Sequence, residues 1–522
     1  MKRTLRFFNT TGPCNPDEHY MLNPEERLVG AQLHRYISDS LYWVLHAPRQ
    51  TGKTTFLHSW MHDINNGSEA VACYVSAERC QGLEEIERAM PAICSSIIDT
   101  ARQFEIPVPH VDAIDASSML NNILINWSKL VAPKPLIVLF DEVDVMQGEA
   151  MISFLRQLRG GFATRGIGKF PVSVALVGMR DLKDYITASK GGSAPNPGSP
   201  FNIKEDSAFI SNFQKDDIAR LFAQRTAENG QQIEQEALDF VYEQSRGQPW
   251  IVNSLFKRAT MRILEQNSTQ TVTLKHVVQA RHDMIMARET HLDALAVRLQ
   301  DAGKRSVIEP IITGEPDPDL ALGDSFRICL ALGLVAIEGG TPVIANPIYR
   351  EVIARHLTYS PQLAIPEPEW QWEKTDGSLD MDKMLKEFQS FWRLNSELWE
   401  SKTKSNYTEA FPHLLLMAFL QRVLNGGGDI ERDYAAGRGR MDLLIEYKGF
   451  RYIIEIKLLR SYHSPEAFRK KGLEQVIKYR DKVGEQTPTY LIIFDRRPES
   501  KTKTWDERIS WEYEDDVAVL GC

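Results

Sequence analysis

Four short runs of nearly uninterrupted apolar residues, Leu41–His46, Ala72–Ser76, Leu136–Phe140 and Val172–Val177, punctuate the N-terminal part of the chain, with stretches of helical spacing between them. Strands that are apolar on both faces and alternate with helices form a parallel sheet covered by two helical layers. Gly191–Pro200, built of Gly, Ser, Pro, Ala and Asn, breaks any regular element. Beyond it, apolar positions such as Ile218, Leu221 and Phe222 recur at helical spacing, so residues 205–285 are expected to be helices only.

Residues 286–359 read as helices with one hairpin, Leu334–Glu338, a Gly-Gly-Thr turn and Val343–Ala345, an order that resembles a winged helix. The Pro- and acid-rich stretch Ser360–Gly377 reads as a linker. A new α/β pattern then runs from about residue 380 to the end of the sequence. The expected fold class is therefore α/β and multidomain: a parallel-sheet domain over 1–204, a helical lid over 205–285, a winged-helix-like domain over 286–359, a linker over 360–380 and a second α/β domain over 381–522.

A 43% apolar and 25% charged composition excludes a disordered chain. No apolar run approaches the roughly 20 residues of a membrane-spanning helix. The basic N-terminus, Met1–Phe8, is not followed by the apolar core of a signal peptide. Six cysteines, at positions 14, 73, 80, 94, 329 and 522, form no CxxC pair, so neither a zinc knuckle nor a disulfide framework is indicated. A cytoplasmic setting is expected.

The net charge of −9 is uneven. Residues 381–522 hold 24 Lys and Arg against 23 Asp and Glu, and six of those acids fall within 506–522. Without that stretch the C-terminal part is basic, which suits contact with phosphates as well as an ordinary solvated surface.

Residues Ala47-Pro48-Arg49-Gln50-Thr51-Gly52-Lys53-Thr54-Thr55 follow one apolar run and open a helical stretch, Thr54–Ile64. A loop in that setting offers backbone N–H groups and a helix N-terminus to phosphate oxygens, which is the P-loop arrangement for ATP. Lys53 is expected to reach the terminal phosphates and Thr54 to ligate Mg²⁺. Ala47 stands where the motif's first glycine belongs. About 90 residues on, Leu136–Phe140 ends in Asp141 and Glu142, two acids delivered to the carboxyl edge of the sheet. Asp141 is expected in the Mg²⁺ shell and Glu142 beside the attacking water, so hydrolysis is expected in addition to binding. Arg180, just past the fourth run, suits either a γ-phosphate sensor or a surface position.

Strand, P-loop, Asp-Glu strand, sensor-like strand, a helical segment with a Gly247-Gln-Pro249 turn and a winged helix together resemble AAA+ ATPases, in particular the origin-recognition and STAND branch. The segment Phe7–Tyr20 with His46–Thr55 resembles bacterial AAA-like ATP-binding proteins. The resemblance covers about residues 1–360 and implies nucleotide-driven motion and assembly into a homo-oligomer.

In the C-terminal part, two β-rich runs flank Lys448-Gly449, a two-residue hairpin turn that pairs Tyr447 with Phe450. Counting outward places Asp442 opposite Glu455. Like charges in direct cross-strand register repel, and a divalent cation between them removes the repulsion. Lys457, two residues from Glu455, shares its face. Two carboxylates for Mg²⁺ (or Mn²⁺) and a lysine to orient water or stabilise developing charge are what phosphodiester hydrolysis needs.

The D-x12-E-x-K spacing resembles the PD-(D/E)xK nuclease superfamily. That resemblance implies a nucleic-acid partner, expected to be DNA, and an αβββαβ order ending in the strand Tyr490–Phe494. Glu409, near the start of the helical stretch Tyr407–Leu424, then suits either an added metal ligand or a first-turn acid favoured by the helix dipole. Gln475 and Tyr479, one helical turn apart, resemble the QxxxY element of the exonuclease branch found in recombination helicase–nucleases. The combined reading is an ATPase that controls a Mg²⁺-dependent nuclease in DNA processing or defence against foreign DNA. The competing readings are a STAND-like switch with a one-shot effector, and an ATP-dependent DNA-binding protein with an inactive nuclease fold. The intact Asp442, Glu455 and Lys457 speak against the last.

Overall fold

The structure, a computed structural model, describes residues 5–112, 115–179, 204–287, 299, 301–312, 323–364, 372–402, 411–424, 428–436, 439–459, 464–495, 497, 500 and 502–522. The chain divides into two compact units. One comprises Met1–Glu289, Phe326–Ala336 and Ala345–Ile348, the other Thr290–Ser325, Ile337–Ile344 and Tyr349–Cys522.

In the N-terminal unit, β1 (Leu28–Val29), β2 (Tyr42–His46), β3 (Val71–Ser76), β4 (Leu136–Asp141), β5 (Ser173–Gly178) and β6 (Lys204–Ile210) form one sheet in the order β1-β6-β2-β5-β4-β3. All neighbours are parallel except β1 and β6. The alternation of side chains sorts the apolar runs into two cores. Val44, Val138 and Phe140 pack with helices Ile86–Gln103, Ala116–Val131 and Gly148–Phe162. Trp43, Leu45 and Leu139 pack with helix Lys53–Gly67 through Phe56, Leu57 and Trp60. The second core is aromatic: Trp43 stacks on Tyr36 at 4.4 Å and meets Trp60 edge-on at 5.6 Å.

The expectation of helices only beyond residue 205 is corrected by β6, which lies beside β2 in the sheet. Its sequence opens Lys-Glu-Asp-Ser, too polar for a buried parallel strand by pattern alone, and tertiary pairing on both sides overrides that. Helices Lys215–Asn229, Gln235–Ser245, Pro249–Lys257 and Leu274–Met286 follow as a helical bundle. Phe8 of the N-terminal segment enters it, 5.8 Å from Phe222 and 5.0 Å from Phe256. Further along, β7 (Val335–Glu338) and β8 (Thr341–Ile344) form the expected hairpin.

In the C-terminal unit, β9 (Gly428–Ala436), β10 (Gly439–Tyr447), β11 (Phe450–Leu459), β12 (Thr489–Asp495), β13 (Ser510–Glu514) and β14 (Val517–Gly521) form a sheet in the order β13-β14-β12-β11-β10-β9. β11, β12 and β14 run parallel, and the other pairs are antiparallel. Helix Pro465–Val483 connects β11 to β12 and buries Leu473, Val476 and Tyr479 against Ile453, Leu491 and Val519. Phe388 and Trp392 of helix Met381–Lys402 contact Phe494 of β12.

One expectation for this unit changes. Helix Pro347–Ala364 runs into the expected linker, and Glu373 bridges Leu379 within it. Trp372 and Leu379, apolar residues in a Pro- and acid-rich stretch, are buried, and the Leu379 N–H donates to the Tyr452 hydroxyl at 2.7 Å. The acidic stretch 506–522 carries β13 and β14: Arg469 pairs with Glu512 and Glu514, while Val517 and Val519 enter the core. Gly191–Pro200 and Arg180 lie outside the described residues. Among the described residues no helix is long and apolar enough to cross a membrane.

Candidate functional sites

The loop after β2 ends at Gly52, whose φ of +100° caps helix Lys53–Gly67, and Gln50 also adopts a positive φ of 58°. Thr51 Oγ1 donates to the Pro48 carbonyl at 2.9 Å, closing the loop on itself. Lys53 Nζ donates to the carbonyls of Ala47 and Pro48 at 2.7 and 2.8 Å. Thr54 Oγ1 donates to Asp141 Oδ2 at 2.7 Å. Thr55, one residue on, takes the N–H of Cys14 onto its hydroxyl at 3.0 Å, tying the N-terminal segment to the helix. The Arg49 side chain adds positive charge beside Lys53.

β4 brings Asp141 to the same edge, almost fully buried at 1% exposure. Its Oδ1 accepts from the Glu142 N–H at 2.9 Å, and the Tyr74 hydroxyl approaches Oδ2 at 3.4 Å. Glu142 sits in left-handed backbone, φ 57° and ψ 32°, with Oε2 accepting from Ser76 Oγ at 3.1 Å. Burial pushes the Asp141 carboxyl up, against the opposing effects of Thr54 and Lys53. Burial and the neighbouring Asp141 charge raise Glu142. Burial lowers Lys53 against the pull of Asp141 and Asp144. All three shifts run toward the neutral forms, as expected of a desolvated cluster whose charges compensate only in part. The Thr54 hydroxyl and the Asp141 carboxylate are hard oxygens in contact, a donor set that fits Mg²⁺.

Sequence motifs locate Lys53, Thr54, Asp141 and Glu142 but miss Ser76 and Tyr74. Both lie on β3, the strand beside β4, where Ser76 pairs in register with Asp141. The signal was available: polar residues at the carboxyl end of a neighbouring parallel strand reach the same edge.

In the C-terminal unit the Lys448-Gly449 turn has φ of 47° and 87°, and Tyr447 pairs with Phe450. The register continues outward to Leu443 opposite Ile454. Glu455, one residue further along β11, is 0% exposed. Lys457 Nζ donates to Glu455 Oε1 at 2.5 Å and is one-fifth exposed. In the helix above, Gln475 Nε2 donates to the Tyr479 hydroxyl at 2.9 Å. A fully buried carboxylate beside an ammonium fits one ligand of a divalent cation with a charged helper. The backbone of Asp442 lies in β10, but its side chain, like Glu409 as a whole, lies outside the described residues. Among the described residues no group of three or more His, Cys, Asp or Glu gathers as a metal site.

Residues 407–494 match the PD-(D/E)XK nuclease superfamily. No curated protein matches the chain. Among solved structures, a Walker-type ATPase of Pyrococcus abyssi is similar over 66% of this chain and 99% of its own, at 13% identity and a TM-score of 0.46. Cdc6p from Pyrobaculum aerophilum is similar over 61% and 88%, at 15% identity and a TM-score of 0.34. The RuvB Holliday junction branch migration motor of Thermotoga maritima is similar over 60% and 87%, at 12% identity and a TM-score of 0.33. By its loop, sheet and family match, the chain joins a P-loop ATPase-like N-terminal region to a C-terminal domain of the PD-(D/E)XK nuclease superfamily.

Proposed function

We propose that the N-terminal unit binds and hydrolyses ATP and thereby controls a Mg²⁺-dependent nuclease in the C-terminal unit that cuts DNA. The observation that carries the ATPase half is the meeting of Lys53, Thr54, Asp141 and Glu142 at one sheet edge, with Thr54 Oγ1 on Asp141 at 2.7 Å. Helix Lys53–Gly67 aims its N-terminal N–H groups at the phosphates, and Lys53 leaves its loop carbonyls to meet the β- and γ-phosphates. Thr54 and Asp141 hold Mg²⁺, and Glu142 accepts a proton from the attacking water. Arg180 senses the γ-phosphate.

In the nuclease, Asp442 and Glu455, with Glu409 as a further ligand, hold the divalent cation, and Mn²⁺ substitutes for Mg²⁺. The chemistry the cation supplies when bound is polarisation of the scissile phosphate and a lowered pKa for bound water. Lys457 orients the nucleophile or stabilises the charge developing on phosphate. Gln475 and Tyr479 hold the DNA strand beside it. The protein assembles as a homo-oligomer in the cytoplasm and serves DNA processing or defence.

A second reading, nucleotide retained as a state marker with negligible turnover, draws support from Ser76, which holds the Glu142 carboxylate. One experiment separates these: plasmid cleavage with Mg²⁺ or Mn²⁺, with and without ATP, by wild type and the Lys53→Ala, Asp442→Ala and Lys457→Ala variants. Cleavage lost in Asp442→Ala and Lys457→Ala, and altered in Lys53→Ala, supports the proposal. Equal cutting by all four removes the assigned nuclease site, and cutting that ignores Lys53→Ala removes ATP control. Measured beside it by nucleotide release and steady-state ATPase assay, tight nucleotide retention without steady turnover selects the switch.

A further inference from the structure

Arg27 is a buried cation that no motif accounts for. It ends the turn Pro24–Arg27, capped at its start by Asn23. Its carbonyl accepts from the Ser211 N–H at 3.0 Å and from Ser211 Oγ at 3.1 Å. The guanidinium is held as firmly as the backbone. Nη2 donates to the Thr51 carbonyl and Nη1 to the Ser211 carbonyl, each at 2.9 Å. The group lies 4.8 Å from the centroid of the Phe213 ring, and the residue is only 8% exposed. Its Nε has no hydrogen-bond partner among the described residues. Asp217, the acid whose charge it feels most, is engaged with the Gln214 N–H and with Arg220. Burial draws the pKa of Arg27 down to about 10.

A guanidinium buried against carbonyls is costly unless an anion compensates it. The Thr51 carbonyl it grips belongs to the phosphate loop, and a trans peptide points its C=O and the following N–H in opposite directions. Holding the Thr51 carbonyl toward Arg27 therefore turns the Gly52 N–H away from it. Gly52 is required there, since its φ is +100° and a Cβ would fall 2.8 Å from Arg27 Nη2.

We infer that Arg27 is a positioning residue for nucleotide phosphate: it fixes the Thr51–Gly52 peptide so that the Gly52 N–H faces the phosphates, lends them its charge, and links the loop to Ser211 and Phe213 at the entry to the helical bundle. This rests on the ATP-binding reading. The inference predicts a dependence on phosphate that a packing role does not.

The test measures binding of ATP, ADP and adenosine to full-length wild type, Arg27→Ala and Arg27→Lys, with thermal melting alongside. Arg27→Ala is expected to weaken ATP and ADP by about tenfold or more, the scale of one lost charge-assisted hydrogen bond, and to leave adenosine unchanged. Arg27→Lys keeps the charge but cannot span both carbonyls, so it recovers part of the affinity and raises KM for ATP without lowering kcat. Should Arg27→Ala fail to fold, Arg27→Lys carries the test through that split. Equal weakening of adenosine and ATP, or kcat and KM changing together in Arg27→Lys, overturns the inference. Wild type that binds no ATP overturns the ATP reading and the inference with it, whereas wild type and Arg27→Ala binding ATP equally overturns only the inference.

Discussion

Replacing Gly247 by alanine perturbs the turn between helices Gln235–Ser245 and Pro249–Lys257, which packs on Phe213. Gly247 has a φ of +73°, and a Cβ built there would stand 1.9 Å from the Phe213 carbonyl oxygen and 2.9 Å from its carbon. A carbon and an oxygen in contact rest at about 3.3 Å or more, so the two backbones must separate by over an ångström. They are clamped, because the Phe213 N–H donates to the Gly247 carbonyl at 2.9 Å. The left-handed conformation costs an L-residue about 1–2 kcal/mol and the lost backbone bond about 0.5–1.5 kcal/mol, for a total of roughly 1.5–3.5 kcal/mol. In a compact unit of this size that corresponds to a fall in melting temperature of about 2–6 °C. The damage also reaches the nucleotide site, since the Phe213 ring packs on Arg27 and Gln248 caps helix Pro249–Lys257, accepting from the Ile251 N–H at 2.7 Å. Thermal melts with and without ATP, paired with an ATP titration, measure both effects. A variant that melts within about 1 °C of wild type and binds ATP as tightly refutes the reasoning.

Glu455→Gln keeps the shape of a fully buried side chain but removes its charge beside Lys457. Mg²⁺-dependent DNA cleavage is expected to fall about 100-fold or more with folding retained, and cleavage at the wild-type rate would take Glu455 out of the chemistry. Tyr479→Phe deletes the acceptor of the Gln475 amide, and a loss of about 0.5–1.5 kcal/mol in denaturant unfolding is expected. No change in the unfolding midpoint would show that the bond contributes nothing. Ser76→Ala releases the Glu142 carboxylate. If Ser76 restrains Glu142, ATP turnover rises by up to about tenfold with ATP affinity unchanged, as steady-state kinetics would show, and a fall would mean that Ser76 aligns the base instead. EDTA is expected to abolish both ATP turnover and DNA cleavage, and activity that survives it would rule out divalent-cation chemistry.

The parts legible in the sequence were those where local pattern and tertiary role agree. Leu136–Asp141 is apolar because both faces of β4 are buried, so the strand and its terminal acids could be read together. The Lys448-Gly449 turn fixed the β10–β11 register because Gly449 takes positive φ at no steric cost and a two-residue turn between two β-rich runs leaves one pairing, even with Lys448 in the left-handed region. Where the two disagree, pattern failed. Lys204–Ile210 reads as polar yet joins the sheet, and the acids at 512–516 mask the edge strand that Val517–Gly521 holds in place. Arg27 was invisible for another reason: its neighbours Thr51, Ser211 and Phe213 are brought to it only by the fold.

β2, which leads into the phosphate loop, has neighbours that come much later in the chain: β5 at Ser173–Gly178 and β6 at Lys204–Ile210. Arg27 likewise waits for Ser211. On a ribosome adding about 5–20 residues per second, the loop is made roughly 6–30 s before the segments that shape it. Through that interval β2 lacks both of its sheet neighbours, and the half-made sheet, open on both edges of β2, is the stage at which a chaperone has most to protect.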